Sequence, residues 1–208
     1  MESGANHLLL VSQVDAPGLS RIPAADIETR ELSKLMEQAD INSLRLAGTN
    51  ATTTEVIKQL TLHSSVHLAC HGMQDGEAPL KSGFYLGDRR LELSEIMKYR
   101  IPNADLAFLS ACQTSTGDEK LSEEAVHLAA GMLAVGYRSV VATMWSIQDS
   151  AGPEVSREFY RHLLQKGKLE GQSVRLDGAR AAYALHYATQ RLRDRGFLAW
   201  VPYVHFGV

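Results

Sequence analysis

Two short segments of this 208-residue chain place reactive side chains directly after apolar runs. His67–Gly72 reads H-L-A-C-H-G and Leu109–Thr114 reads L-S-A-C-Q-T. His71 and Cys112 are the residues that can work together. A free thiol has a pKa of about 8.5 and is only slightly ionised at neutral pH. A neighbouring imidazole can take its proton or stabilise the thiolate, which brings such thiols into the range of about 3.5–7.5. Attack on a carbonyl then needs donors for the oxyanion. Gly72, lacking a Cβ, lets a substrate carbonyl approach its backbone, and the Cys112 N–H is the natural second donor.

Each residue taken alone has a plainer reading. A lone cysteine in an apolar strand is usually a small buried hydrophobe, which describes Cys70 and competes with the nucleophile reading of Cys112. His63 reads as a loop residue and His67 as a core histidine. A metal is a further option, since His63, His67, Cys70, His71 and Cys112 are close in sequence or in expected space. Cys70 and His71, however, are adjacent in a strand and face opposite ways. No second Cys-x-x-Cys or His-x-x-x-His element completes a four-ligand set, so no metal or other cofactor is expected.

The elements that must position these residues alternate between strand and helix. His7–Val11 is a short apolar run fit for a buried strand. Ala24–Glu37 is a helix with Ile27, Leu32, Leu35 and Met36 among charges, and Leu44–Leu46 lies in a second strand. Thr52 and Glu55 form a capping box ahead of the apolar helix positions Val56, Leu60 and Leu62. Ser65–Cys70 is a third strand. Gly83–Leu93 is a hairpin turning at Gly87-Asp88, after which Ser94 caps a short helix. Ala104–Ala111 is a fourth strand. Ser122 caps a helix with Ala125, Leu128, Ala129, Met132 and Leu133 on one stripe, stopped at Gly136. Arg138–Met144 is a fifth strand. Helices over 150–165 and 176–194 follow, the second burying Ala181, Leu185, Ala188 and Leu192, and Trp200–Phe206 ends the chain as an edge strand.

Such alternation implies right-handed βαβ units and an α/β fold around a mostly parallel sheet. Ligands in these sheets sit beyond the carboxyl ends of strands. That rule selects the positions after Cys70, after Ala111 and after Met144. If the third and fourth strands are neighbours, His71 and Cys112 open into one crevice.

The bulk numbers suit a single globular domain over 1–208, with 45% hydrophobic and 22% charged residues. A net charge of −3 offers no basic footprint for nucleic acid and no polybasic membrane patch. The late basic residues Arg175, Arg180, Arg191, Arg193 and Arg195 read as the wet face of a helix. No apolar run approaches the roughly 20 residues of a membrane span, and the N-terminus lacks a signal-peptide pattern. Two cysteines are too few for a disulfide framework, so a reducing, cytoplasmic setting is expected.

The H-L-A-C-H-G and L-S-A-C-Q-T pair, with the run E-A-V-H-L-A-A-G-M-L-A-V-G-Y-R-S-V-V-A-T-M-W-S-I-Q-D over 124–149, resembles the CHAT domain family, a member of the caspase, separase and gingipain clan of cysteine peptidases. The resemblance covers nearly the whole chain and is strongest from about 63 to 152. It implies a three-layer sandwich whose six-stranded sheet has an antiparallel last strand at one edge. His71 and Cys112 fall on its catalytic dyad, and Gly72 falls at its oxyanion hole. It also implies a protein or peptide substrate. CHAT domains usually follow tetratricopeptide repeats, and this sequence shows none, so regulation by such repeats would be absent or supplied by another chain.

Asp149 resembles the position from which separases present a carboxylate to a basic residue before the cut, and Asp75, Glu77, Asp118 and Glu119 add acidity to the expected loops. A buried carboxylate can fork to a guanidinium with charge-assisted bonds. Cleavage after Arg or Lys is therefore expected, with Asp149 as the specificity residue. Asp149 is also well suited to cap the next helix, and it can do both. Trp145 is read either as core or as a wall of the same pocket. The alternative to an endopeptidase is a caspase-like scaffold or interaction module without turnover. Another Cys–His hydrolase or an acyl transferase is a third reading.

Overall fold

The computed structural model describes residues 7–110, 112–113, 125–144, 151–169, 175–193, 196 and 200–208, with the main chain alone at 112–113, 125–127 and 165–169. The apolar run at the start forms β1 (His7–Ser12), followed by α1 (Ala24–Gln38) and β2 (Asn42–Ala47). Next come α2 (Thr53–Leu60) and β3 (Ser65–Ala69), then the short strands β4 (His71–Met73), β5 (Gly83–Tyr85) and β6 (Arg90–Glu92). The chain continues through α3 (Leu93–Ile96), β7 (Leu106–Leu109), β8 (Cys112–Gln113), α4 (Ala125–Val135), β9 (Ser139–Thr143), α5 (Gly152–Leu169), α6 (Ala181–Gln190) and β10 (Tyr203–Gly207).

Six of these strands form the main sheet in the order β10-β9-β7-β3-β1-β2. All pairs are parallel except β9 with β10, so the last strand closes one edge antiparallel. The sheet is covered on both faces, which is why its inner strands β1 and β7 read as apolar runs. In β1, Leu9 and Val11 join a core with Val56 and Leu60 of α2 and Met132 of α4. Leu8 and Leu10 face the other way, toward Leu32 and Met36 of α1, Phe159 of α5 and Leu185 of α6. These two cores make the expected three layers.

A second, smaller sheet runs β6-β5-β4-β8. The third strand, expected over Ser65–Cys70, stops one residue earlier, at Ala69, and a new strand starts at His71. Cys70 lies buried between, and His71 opens β4 in the other sheet. The hairpin does turn at Gly87-Asp88, where Leu86 N–H donates to the Arg89 carbonyl at 2.9 Å. Gly87 is required there, because a Cβ would stand 2.3 Å from the Gly48 carbonyl oxygen. Asp88 then fastens the turn to α2 by accepting from the Thr53 N–H and hydroxyl, both at 2.8 Å.

Several local expectations shift. The Thr52 side chain does accept from Glu55 N–H at 3.3 Å, but Glu55 turns to Gln59 and Lys58 instead of completing the box. Leu62 lies beyond α2 and is exposed. Ser94 does not cap the short helix: Glu92 is its N-cap, boxed with Glu95, and Ser94 bonds the Glu92 carboxylate at 3.2 Å. Arg175, Arg180, Arg191 and Arg193 all lie outside α6 and so share no helical face, while Arg195 and Ser122 lie outside the described residues. Among the described residues, no helix is long and apolar enough to cross a membrane.

Candidate active site

The site lies where β3 and β7 end side by side. Leu68 pairs with Leu109 at the end of the main ladder, and His71 pairs with Cys112 in the parallel β4–β8 ladder beyond it. The pairing offset is the same in both, so the smaller sheet prolongs the main one in register at this point. Positions 71 and 112 thus stand directly opposite each other across one ladder. Gly72 is buried between Phe84 of β5 and Gln113 of β8.

His71 is only 1% exposed. Its Nε2 lies 2.8 Å from the Ser20 carbonyl oxygen in the loop between β1 and α1. A carbonyl can only accept, so Nε2 carries a hydrogen and donates it. In the neutral ring Nδ1 is then the lone-pair nitrogen. It is buried and has no hydrogen-bond partner among the described residues. The loop that supplies Ser20 is tied down by its own backbone. Gln13 N–H donates to the Ala69 carbonyl at 3.0 Å, and Ile22 N–H to the Val14 carbonyl at 3.1 Å.

Period-two alternation puts His67 and Ser110 on the α1 side of the sheet, opposite the side taken by Val66, Leu68 and Cys70. Beneath the strand ends on that side is a polar cluster that the sequence reading missed. Glu28 of α1 accepts from the Ser110 hydroxyl at 3.0 Å and stands 2.9 Å from His67 Nε2. Ile27, one of the apolar residues that marked this helix, is 50% exposed, whereas its neighbour Glu28 is only 3% exposed. Its spacing from Ala25 and Leu32 puts Glu28 on the buried stripe, and that spacing was the available signal.

Cys70 and His67 are core residues as expected, with His67 stacked on Phe108 at 4.9 Å between ring centroids. His63 lies in the loop before β3, where its Nδ1 is 2.8 Å from the Gln59 carbonyl, and burial lowers its pKa. Asp75, expected to add acidity, spends its carboxylate on its own turn, accepting from Glu77 and Ala78 N–H at 3.1 and 2.8 Å. Trp145, Asp149, Asp118 and Glu119 lie outside the described residues. Among the described residues, no group of three or more His, Cys, Asp and Glu side chains is placed to hold a metal ion.

The model of the CHAT domain family matches residues 2–207. No curated protein matches the chain. Among solved structures, the chain is similar to the Arg-specific cysteine proteinase gingipain R, with a TM-score of 0.62 at 14% identity, covering 98% of this chain and 46% of that one. It is also similar to the complex of the pro- and mature domains of RgpB from Porphyromonas gingivalis, with a TM-score of 0.60 at 11% identity, covering 98% and 47%. The chain thus spans about half the length of each, and at these identities the likeness concerns the fold.

Proposed function

Because the chain belongs to the CHAT domain family and has the gingipain-like, caspase-like fold, we propose that it is a cysteine endopeptidase with Cys112 as nucleophile and His71 as base. The observation that carries this reading is the register of His71 with Cys112, together with the Ser20 carbonyl that leaves Nδ1 as the basic nitrogen. In the reaction, His71 Nδ1 takes the thiol proton and the sulfur bonds to the scissile carbonyl carbon. The oxyanion rests on the backbone N–H groups of Gly72 and Cys112. The tetrahedral intermediate collapses as the C–N bond breaks, and His71 returns the proton to the leaving amine. Water, deprotonated by the same imidazole, then hydrolyses the thioester and frees Cys112.

The substrate is a protein or peptide, cut after Arg or Lys, with Asp149 taking the basic side chain and Trp145 walling the pocket. Acidic character after the fifth strand supports this preference, as does the Arg specificity of gingipain R, one of the structures that the fold resembles. A tetratricopeptide-repeat protein is the regulatory partner that suits this reading. The burial of His71 favours a second reading, a scaffold of the same fold without turnover.

Proteome-wide mapping of cleavage sites, comparing the natural chain with Cys112→Ala, separates these readings. The endopeptidase predicts new termini after Arg or Lys that vanish in the variant. Identical termini from both proteins select the scaffold. Cuts after acidic residues, or Arg-peptide turnover unchanged in Asp149→Ala, remove the assigned specificity.

A further inference from the structure

A buried carboxylate carries a large desolvation penalty unless other groups bond it. Glu28 reaches from α1 to both strands that lead into the site, one carboxylate oxygen hydrogen-bonded and the other at ion-pair distance without hydrogen-bond geometry. Its Oε2 accepts from the Ser110 hydroxyl at 3.0 Å, and its Oε1 lies 2.9 Å from His67 Nε2. Ser110 precedes Cys112 by two residues, and His67 precedes His71 by four. Behind His67, the Tyr160 hydroxyl lies 3.4 Å from Nδ1. Burial, reinforced by the Glu28 charge, holds that phenol well above its usual pKa, so it stays protonated. A neutral hydroxyl can donate or accept, so this contact suits either tautomer of the His67 ring. The first residue of α5 closes the cluster: a Cβ on Gly152 would stand 2.8 Å from Glu28 Oε2 and 3.2 Å from Ser110 Oγ.

A surface role for Glu28 is excluded by its burial, and packing alone would be served by an aliphatic residue of that volume. Burying a charge in place of a hydrophobe seldom adds stability, and its best attested benefit is a fixed geometry. Its partners here lie just before the two residues whose separation matters most.

We propose that Glu28 is a positioning residue for the Cys112–His71 pair, acting through Ser110 on the strand end that carries Cys112 and through His67 on the strand that leads to His71. This inference rests on the cysteine-peptidase reading. Loss of the brace lets one strand end shift against the other, and a misplacement of about 1 Å can cost on the order of 100-fold in rate.

The test compares the natural chain with Glu28→Gln and Ser110→Ala. Two quantities are read: turnover of an arginyl peptide amide, and the pH midpoint of Cys112 alkylation by iodoacetamide. Both variants are expected to lose about 10- to 100-fold in kcat with KM changed less than about 3-fold. The alkylation midpoint is expected to move up toward the ordinary thiol value of about 8.5. A merely structural role would lower the melting temperature and leave the midpoint of the folded protein where it was. An active natural chain whose variants keep both kcat and midpoint overturns the positioning role alone. A natural chain without turnover, whose Cys112 alkylates as an ordinary thiol, overturns the peptidase reading and this inference with it. Ser110→Ala deletes a single hydroxyl and keeps the comparison available if Glu28→Gln does not fold.

Discussion

The Nε2 of His71 lies 2.8 Å from the carbonyl oxygen of Ser20, so main chain holds the imidazole at this nitrogen. A side-chain partner could be deleted by one substitution, whereas this carbonyl survives any replacement at position 20 that keeps the loop. His71→Ala is expected to lower kcat/KM on an arginyl peptide by about 100- to 10,000-fold, the usual worth of general acid–base catalysis. Ser20→Ala is expected to stay near natural activity. Steady-state kinetics on both variants checks the contrast.

The same loop carries an exposed ion pair between Arg21 and Asp15 at 2.6 Å. Exposed pairs are screened by solvent and contribute little to stability. Asp15→Asn is therefore expected to leave the urea midpoint near that of the natural chain and to change activity by less than about 3-fold, read by urea unfolding and peptide turnover. A large loss in kcat would mean that the loop depends on this pair to hold Ser20.

Gly152→Ala introduces a methyl group into the space between Glu28 and Ser110. Overpacking of this kind costs about 1–3 kcal/mol. The variant is expected to unfold at lower urea and to lose turnover, since the displaced carboxylate is the one bonded to Ser110.

Phe108 is fully buried, stacked on His67 and edge-on to Phe159 at 5.0 Å. Truncation to Ala is expected to cost about 3–5 kcal/mol. The urea midpoint should fall with the slope unchanged.

Stability should also depend on pH through His63 and His205, whose pKa values burial pushes down in the folded chain. His205 Nε2 meets the buried Ser139 hydroxyl at 2.5 Å, a contact suited to a neutral ring. The unfolded chain protonates these rings near about 6.5. Between that value and the lower folded ones the unfolded state binds more protons, so stability falls as pH drops below about 6.5 and levels off below the folded values. Melting temperatures between pH 7.5 and 5 check this, and His205→Gln is expected to flatten the slope.

The main sheet was legible in the sequence because its strands are buried on both faces. His7–Val11 and Arg138–Met144 have no polar side to alternate with, and only a covered parallel strand tolerates that. Half of the second sheet was legible, as the hairpin turning at Gly87-Asp88 that forms β5 and β6. The other half was not: β4 and β8 run three and two residues, too short for any periodicity, and His71 read as the residue after a strand and not as the start of another. Only the pairing of distant segments reveals that the chain changes sheets after Cys70. Glu28 escaped for a related reason. Helical spacing put it on the inner stripe, but a carboxylate is read as solvated until its partner is known, and Ser110 comes 82 residues later. What the sequence offered at 71 and 112 was their place after two apolar strands, and the β4–β8 register sets those two positions opposite each other.

The membership of β4 and β8 in the smaller sheet has a dynamic consequence. Three of that sheet's strands hold three residues and the fourth two, while the six-stranded frame is sandwiched between helices. Short ladders open at a lower free energy than the whole molecule, even where residues such as Phe84 and Leu91 join the main core. Amide exchange at residues 71–73 and 112–113 should therefore proceed by sub-global opening, well ahead of β1 and β3. Positions 71 and 112 would then separate and re-form while the main sheet stays folded, so under the proposed peptidase reading activity and heat resistance need not rise or fall together.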